Sequence, residues 1–185
     1  MLDGGTGGCE DARVEEGKDH TICDDIPTKA GYTFQGWSDG TNTYAAGATI
    51  SNIQSDITLV VQWQANTYKV SFNANGGDGT MSDQNFIYDE AKKALSKNTF
   101  IRDKYEFAGW NTAANGSGTS YDDEEEVENL TTSNGATITL YAQWSELYTV
   151  TFIDRGSVYA NVPQTTVDGN VDLTTCFMFF LKKSS

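Results

Sequence analysis

Apolar and polar side chains alternate along three short blocks of the chain. The block YKVSF at 68–72 places its two aromatic residues and its valine on one side and its two polar residues on the other. The blocks ITLVVQW at 57–63 and ITLYAQW at 138–144 alternate in a similar way, and both end in tryptophan. Since side chains of a β-strand point alternately to opposite faces, this period of two predicts strands that are buried on one face.

One segment departs from the strand pattern. In YDEAKKALSKN at 88–98, Ala91, Ala94 and Leu95 recur at helical spacing, and Asp89 precedes them as a helix cap would. We therefore predict a short helix here. Together the patterns predict a mostly β, α+β fold, in which each module is a small, mostly antiparallel sheet with one short helix.

The predicted strands belong to blocks that recur along the chain. DGGTG at 3–7 matches NGGDG at 75–79, GYTFQGW at 31–37 matches KYEFAGW at 104–110, the two QW-ending blocks match each other, and YTVTF at 148–152 matches YKVSF. The repeat boundaries that follow are repeat 1 (1–66), without an opening strand, repeat 2 (67–146), which is complete, and the start of repeat 3 (147–185), with an aberrant C-terminal tail. Because the sequence starts and ends within a repeat, we expect it to be a segment of a longer protein.

Repeats 1 and 2 each contain a Gly-Trp pair after a strand-like block. Gly109 predicts a bulge or bend that re-aims Trp110. Two interpretations of Trp37 and Trp110 follow. Either both indoles fill the small cores of their modules, or both are exposed and stack on a sugar or a partner protein. Trp63 and Trp144 end alternating faces and are predicted to lie in the core.

The chain is strongly acidic. Among its 185 residues, 26 are Asp or Glu and 12 are Lys or Arg, which gives a formal net charge of −14. This charge disfavours binding to nucleic acid and adsorption to anionic lipid, and no apolar run is long enough for direct membrane insertion. The densest acidic run, Asp122–Glu128, is either a solvated loop or a calcium site. Its contiguous carboxylates lack the spacing of a calcium-binding loop, so we expect no metal.

Side chains suited to catalysis are scarce. His20 is the only histidine, which leaves no nucleophile-histidine arrangement shared with repeat 2 and no familiar zinc-ligand set. We therefore expect no catalytic residue, no cofactor and no enzymatic activity. Cys9 and Cys23 are either unpaired or joined by a disulfide, which would fit an extracytoplasmic protein. Cys176, in an apolar tail, is interpreted as a packing residue.

The order of the blocks resembles a known family. In repeat 2, YKVSFNANGGDGTMSDQNFIYDEAKKAL, then NTFIRDKYEFAGWNTAANGSGTSY, then GATITLYAQW are similar to the Listeria–Bacteroides repeat, which includes the B-repeat of internalin-type bacterial surface proteins. Repeat 1 looks like a second subtype of this repeat. The resemblance implies tandem β-grasp-like modules in extracellular proteins, often placed between a ligand-binding head and a cell-wall anchor, where they act in adhesion or as a stalk.

Two functions are consistent with these features. The first is a non-enzymatic stalk or spacer in a cell-surface or secreted protein, monomeric within a longer chain and with adhesive faces for a host or cell-surface protein or glycan. Its linkers, QAN at 64–66 and SEL at 145–147, are too short for free rotation and predict modules that stack as a semi-rigid rod. The alternative is a dedicated glycan- or protein-binding module that uses Trp37, Trp110 and the loops that follow them.

Overall fold

A computed structural model describes residues 3–154 and 157–164 of the chain, so Cys176 and the C-terminal tail lie outside the described residues. Within these ranges the chain forms strands and turns and no helix. The strands are β1 (His20–Thr21), β2 (Tyr32–Ser38), β3 (Thr43–Tyr44), β4 (Thr49–Ile50), β5 (Val60–Ala65), β6 (Thr67–Asn73), β7 (Gln84–Ile87), β8 (Lys93–Ala94), β9 (Tyr105–Asn111), β10 (Ser120–Tyr121), β11 (Glu126–Val127), β12 (Ala136–Glu146), β13 (Tyr148–Asp154) and β14 (Ser157–Gln164).

Repeat 2 contains a five-stranded sheet in the order β10-β9-β12-β6-β7. β9 pairs antiparallel with β10 and with β12, and β6 pairs antiparallel with β7. Along β6, Tyr68, Val70 and Phe72 are buried, whereas the residues between them are more exposed. The alternation of this block is therefore confirmed. β8 and β11 form a separate two-stranded ladder.

Repeat 1 forms a smaller sheet of the same design. β3, β2 and β5 correspond to β10, β9 and β12, and they assemble in the order β3-β2-β5. The ladder between β1 and β4 corresponds to the ladder between β8 and β11. Within the described part of repeat 1, the chain supplies no counterpart of β6 or β7.

The helix predicted for residues 88–98 is wrong. Asp89 adopts a left-handed backbone conformation, with φ 58°, and its N–H and carboxylate bond to the side chain of Asn129 instead of capping a helix. Four residues further on, the chain is extended and forms β8, which pairs with β11. Pairing with a distant strand overrides the helical spacing of the alanines. The fold is therefore mostly β, as predicted, but the expected β-grasp-like module with one short helix is not formed.

Both Gly-Trp motifs form a bulge, as predicted at Gly109. The register shifts beside Gly36 where β2 pairs with β5, and opposite Gly109 where β9 pairs with β12. The two glycines have φ values of 142° and 121°. A Cβ atom would lie 2.7 Å from the carbonyl oxygen of Tyr44 at the first position and 2.9 Å from that of Tyr121 at the second. Glycine is therefore required because the next strand of the sheet passes too close for a side chain.

Trp110 is the largest fully buried side chain of the described residues, with 0% of its surface exposed. Its ring packs against three others, those of Phe72, Phe100 and Phe107, at centroid distances of 4.9, 6.1 and 4.8 Å. In repeat 1, Trp37 is 5% exposed and packs edge-to-face on Phe34 at 5.7 Å. The first interpretation of these two tryptophans, as core residues, matches their positions in the structure.

Trp63 and Trp144 lie at the border of the core. Both are half-buried, whereas the sequence predicts that they lie in the core. The indole N–H of Trp144 donates a hydrogen bond to the carbonyl oxygen of Ala74 at 2.9 Å, and its ring lies 5.8 Å from that of Phe107. Through this hydrogen bond, the partly exposed Trp144 connects the turn after β6 to the end of β12.

The chain divides into two compact units whose limits differ from those of the repeats. Unit 1 contains the chain up to Ser71 together with Asp83–Leu95 and Glu126–Ile138. Unit 2 contains Phe72–Ser82, Ser96–Glu125 and the chain from Thr139 on. Repeat 1 thus shares unit 1 with part of repeat 2, and the junction between the two repeats lies inside a single unit.

Candidate functional site: the junction between the repeats

The linker between the repeats is a single residue. β5 ends at Ala65 and β6 begins at Thr67, so of the predicted linker QAN only Asn66 lies outside a strand. Asn66 is 7% exposed, one of the few buried polar residues of the described chain. Burial of an amide side chain is unfavourable unless its polar atoms are hydrogen-bonded. The hydrogen-bond partners of Asn66 therefore determine how the two repeats are joined.

Asn66 bonds to both repeats at once. Its N–H donates to the carbonyl oxygen of Gly31 at 2.8 Å, and its Oδ1 accepts from the hydroxyl of Thr33 at 2.6 Å. Its Nδ2 donates to the carbonyl oxygen of Thr132 at 2.7 Å, and its own carbonyl accepts from the N–H of Tyr88 at 2.8 Å. Two of these bonds lie in repeat 1 and two in repeat 2. One buried residue thus holds the repeats in a fixed register.

An aromatic pair lies beside Asn66. The rings of Tyr32 and Tyr88 meet edge-to-face at 5.8 Å, and the Tyr32 hydroxyl donates to Asp89 Oδ2 at 2.8 Å. The hydrogen bond to this carboxylate, followed by desolvation, raises the pKa of the Tyr32 hydroxyl above its ordinary value. Asn129 donates to the other carboxylate oxygen at 2.8 Å, which fixes the position of Asp89. The pair therefore adds a second, partly apolar contact between the repeats.

Gly31 makes this contact possible. Its φ is 77°, and a Cβ atom built there would overlap the ring of Tyr88. The corresponding residue of repeat 2, Lys104, has a similar backbone conformation, with φ 63°, although it carries a side chain. The conformation alone therefore does not require glycine. What requires it at position 31 is the ring of the neighbouring repeat.

The boundary after repeat 2 keeps the backbone part of this arrangement. The N–H of Leu147 donates to the carbonyl oxygen of Lys104 at 2.7 Å, as Asn66 does to Gly31. The guanidinium of Arg102 lies 3.8 Å from the ring centre of Tyr105, where repeat 1 has Lys29 4.2 Å from the ring centre of Tyr32. The leucine side chain has no polar atom to bond a following repeat. The two boundaries thus share a backbone hydrogen bond and a cation–π contact but differ in the side chain at their centre.

The residues proposed for partner binding lie elsewhere. Trp37 and Trp110 are buried, so neither indole presents a face to a sugar or a partner in this structure. Cys9 and Cys23 are joined by a disulfide with their Cα atoms 5.7 Å apart. From the sequence alone, both the paired and the unpaired state of these cysteines are possible. Nothing local in the sequence distinguishes Asn66 from any other linker asparagine.

The acidic run is held by hydrogen bonds from backbone N–H groups and by one ion pair. Glu125 accepts from the N–H of Asp122 at 2.7 Å, Asp123 accepts from the N–H of Asn98 at 2.8 Å, and Lys97 lies 3.8 Å from Glu124. Among the described residues, no group of three or more His, Cys, Asp or Glu side chains is arranged to hold a metal ion. The described ranges also contain no helix long and apolar enough to cross a membrane.

The loops after the two tryptophans, 38–43 and 111–120, are each ordered around one side chain. Asp39 accepts from the N–H groups of Asn42 and Thr41 at 2.7 and 2.8 Å and from the Tyr44 hydroxyl at 2.8 Å. In the second loop Asn111, which is 1% exposed, donates to Gly116, Gly118 and Ser120 and accepts from Ala113 and Gly118. Both loops are therefore held in place by hydrogen bonds within the chain.

The charge on Asp39 makes the first loop sensitive to acid. The backbone N–H groups of Asn42 and Thr41, and then the Tyr44 hydroxyl, hold the pKa of Asp39 well below its ordinary value of 3.8. A carboxyl with a depressed folded-state pKa stabilises the fold above its unfolded-state pKa, and this contribution is lost as the pH falls through the folded-state pKa. We expect the urea midpoint of the wild type to fall more steeply below about pH 4 than that of Asp39→Asn. Asp25→Asn, an exposed site in the same repeat, is the control, and parallel curves for Asp39→Asn and the wild type would contradict the assignment.

Comparison with known proteins identifies a family of repeat domains. The sequence model of the Listeria-Bacteroides repeat domain matches residues 1–62 and 68–143, two segments that meet at the Asn66 junction. A protein predicted to be a Gly-rich membrane protein of Evansella cellulosilytica is 32% identical over 140 residues, 70% of this chain and 16% of that protein. A second predicted membrane protein of that organism is 33% identical over 144 residues, 75% of this chain and 21% of that protein.

Internalin H of Listeria monocytogenes is 35% identical over 122 residues, 65% of this chain and 20% of that protein. No solved structure matches the chain. The chain spans between 16% and 21% of the length of these three relatives. Since the repeat model covers both repeats and most of the chain, the resemblance to this family is confirmed, and the chain belongs to the Listeria–Bacteroides repeat family.

Proposed function

We propose that the chain is a non-enzymatic spacer segment of a bacterial cell-surface protein, in which adjoining repeats are held in a fixed orientation. The observation that carries the proposal is the buried Asn66 junction, with its two hydrogen bonds to each repeat. A spacer must keep its ends apart, and freely rotating modules would let the chain fold back on itself. A one-residue linker with all its polar groups bonded prevents such rotation.

The proposed location at the cell surface is supported by the relatives and by the disulfide. One relative is named as an internalin and two as membrane proteins, and this chain matches between 16% and 21% of the length of each. Disulfides persist mainly outside the reducing cytoplasm, so the Cys9–Cys23 bond is consistent with a surface or secreted location.

Nuclear magnetic relaxation of the full chain tests the spacer. Amide groups of β2 in repeat 1 and of β7 and β11 in repeat 2 are expected to report one common rotational correlation time, because Asn66 joins them. Asn66→Ala keeps the backbone bonds but removes those to Thr33 and Thr132, so order parameters at the linker are expected to fall. Asn85→Ala, exposed on β7, serves as the control. Separate correlation times for the two repeats of the wild type would overturn the proposal.

A double-mutant cycle tests the contact between Gly31 and Tyr88. Gly31→Ala is expected to lower the free energy of unfolding by about 2–3 kcal/mol, because the methyl group overlaps the tyrosine ring and the backbone is left-handed. In a Tyr88→Ala background the same change is expected to cost only about 1 kcal/mol, the part due to the backbone. The measurement is urea unfolding of all four proteins. An equal loss of unfolding free energy in both backgrounds would show that Gly31→Ala acts within repeat 1 and not through the contact with Tyr88.

A second function, adhesion through the ordered loops, is supported by their hydrogen bonding. Loops fixed in advance lose little conformational entropy when they bind, and most residues of 38–43 and 111–120 outside the central side chains are exposed. The net charge of −14 favours neutral glycans or basic protein surfaces over anionic polymers. Titration with neutral oligosaccharides should shift the loop amides and leave the indole N–H signals of the buried tryptophans unchanged. Unchanged loop signals across a ligand set would leave the spacer as the single function.

A further inference from the structure

The ladders of the two repeats show which residues occupy equivalent positions at the two boundaries. Where β2 meets β5, Thr33 pairs with the residue two positions before Asn66. Where β9 meets β12, Glu106 pairs with the residue two positions before Leu147. Because the register is the same, Glu106 occupies in repeat 2 the position that Thr33 occupies in repeat 1. The two boundaries can therefore be compared residue by residue.

Lys104 occupies in repeat 2 the position of Gly31. The carbonyl oxygens of Gly31 and Lys104 accept the N–H of the linker residue at 2.8 and 2.7 Å, and both backbones are left-handed, with φ 77° and 63°. At position 31, the space beside the backbone is filled by the ring of Tyr88, which a Cβ atom would overlap. The Cβ atom and stem of Lys104 take up the same space in repeat 2. A ring placed like that of Tyr88 therefore cannot lie equally close to Lys104.

Thr33 and Glu106 differ in what they offer to a linker asparagine. The Thr33 hydroxyl donates to Asn66 Oδ1 at 2.6 Å, while Asn66 Nδ2 donates to the carbonyl oxygen of Thr132 at 2.7 Å. The oxygens of an ionised glutamate only accept. An asparagine Oδ1 that faced Glu106 would therefore have no donor, and a reversed amide would place its Oδ1 against the carbonyl oxygen of Thr132. Either orientation leaves a buried polar atom without a hydrogen bond, which is unfavourable.

The linker after repeat 2 is also one residue shorter than the linker after repeat 1. Four residues, QANT, separate Trp63 from Tyr68, whereas three residues, SEL, separate Trp144 from Tyr148. Successive side chains of a strand point to opposite faces, so a difference of one residue reverses the face to which a given side chain points. The strand that follows repeat 2 therefore begins in a different phase from β6.

We propose that these boundary residues determine which repeat can follow which, an inference that rests on the proposed function as a spacer with fixed joints. The accepting face consists of Gly31, Thr33 and Asn66, and the excluding face consists of Lys104, Glu106 and Leu147. Both faces have the tyrosine, the cation beside its ring and the backbone hydrogen bond, so these features do not discriminate. Discrimination comes from an occupied space and from facing acceptors. A copy of repeat 2 therefore docks on repeat 1 but not on another copy of repeat 2.

Two substitutions in the full chain test the accepting face by nuclear magnetic relaxation. Gly31→Lys with Thr33→Glu gives repeat 1 the side chains of repeat 2, and Lys104 shows that a lysine adopts this backbone conformation. The ratio of docked to undocked molecules is expected to fall about tenfold or more, which lowers the order parameters of the linker. Gly40→Lys with Gln35→Glu is the matched control, because Gly40 has φ 93° and open space around it, and Gln35 is exposed on the same side of β2 as Thr33. Unchanged linker order parameters in the first variant would overturn the selection and leave the spacer intact, whereas separate correlation times in the wild type would overturn the spacer.

An extended chain provides the reverse test. A second copy of residues 66–146, isotopically labelled by segmental ligation, is inserted after Glu146 of the full chain, which places its linker asparagine and its tyrosine ring beside the excluding face. The two copies of repeat 2 are expected to report separate correlation times. Lys104→Gly with Glu106→Thr in the first copy should give them a common one, and the same two changes in the inserted copy alone, the control, should not. A common correlation time without the substitutions, or separate times with them in the first copy, would overturn the proposal.

Discussion

Trp110→Ala is expected to lower the free energy of unfolding by about 3–5 kcal/mol, the range for removal of a fully buried aromatic side chain. The ring is 0% exposed and packs against three phenylalanine rings, so its loss leaves a cavity among stiff side chains that collapse poorly. Small domains have only about 5–15 kcal/mol of stability in total. The variant should therefore unfold at a much lower urea concentration than the wild type.

Two further variants serve as comparisons for the loss of stability in Trp110→Ala. Tyr148→Ala removes an aromatic ring that is 57% exposed and should change the urea midpoint little. Trp37→Ala should lower the free energy of unfolding less than Trp110→Ala does. Trp37 borders a cleft of about 790 Å³ in repeat 1, so the side chains around it can relax into the space that the indole leaves. Equal midpoints for Trp110→Ala and Tyr148→Ala would show that the second repeat does not depend on this core.

Gly109→Ala is expected to cost about 2–3 kcal/mol for a different reason. The new methyl group would lie 2.9 Å from the carbonyl oxygen of Tyr121, which belongs to the backbone of β10 and cannot rotate away. The backbone at this position, with φ 121°, is also strained for any residue with a Cβ atom. The strand must therefore move, and the pairing of Tyr121 with Trp110 should be lost.

Gly135→Ala is the matched control for this substitution. Gly135 also has a positive φ, 72°, but a Cβ atom there would meet no other atom within 4 Å. Its replacement is expected to cost about 1 kcal/mol, the strain of the left-handed backbone alone. Urea unfolding measures both costs, and hydrogen exchange of the β9 and β10 amides shows whether the ladder between them opens. A cost for Gly109→Ala no larger than that for Gly135→Ala would contradict the close approach of β10.

The strands and bulges could be predicted because they depend on neighbours in sequence. A period of two along β6 needs only adjacent residues to be seen, and a glycine before a tryptophan in a strand-like block indicates a bulge wherever it recurs. The helix was predicted for the same local reason and was wrong. Ala91 and Ala94 favour a helix by their spacing, but β11 supplies backbone partners to β8 that local spacing does not reveal.

The junction could not be predicted, because its parts are distant in sequence. Asn66 bonds to Thr33 and Thr132, which are 33 and 66 residues away. In a short polar linker, an asparagine that carries four hydrogen bonds and one that faces solvent give the same pattern. In the sequence, Gly31 stands out only as the first residue of a recurring motif. A glycine is required there because of the ring of Tyr88, which belongs to the other repeat.

The two repeat boundaries differ at their central residue, Asn66 at the first and Leu147 at the second. When a repeat is duplicated within a gene, the residue that joins it to the next repeat is copied along with it. In a longer array, the flexibility of each boundary would thus be set by the single residue at its centre. Exchange of an amide for an aliphatic side chain would then loosen a single joint while every module kept its fold, so the bending of the whole array could evolve independently of the stability of its parts.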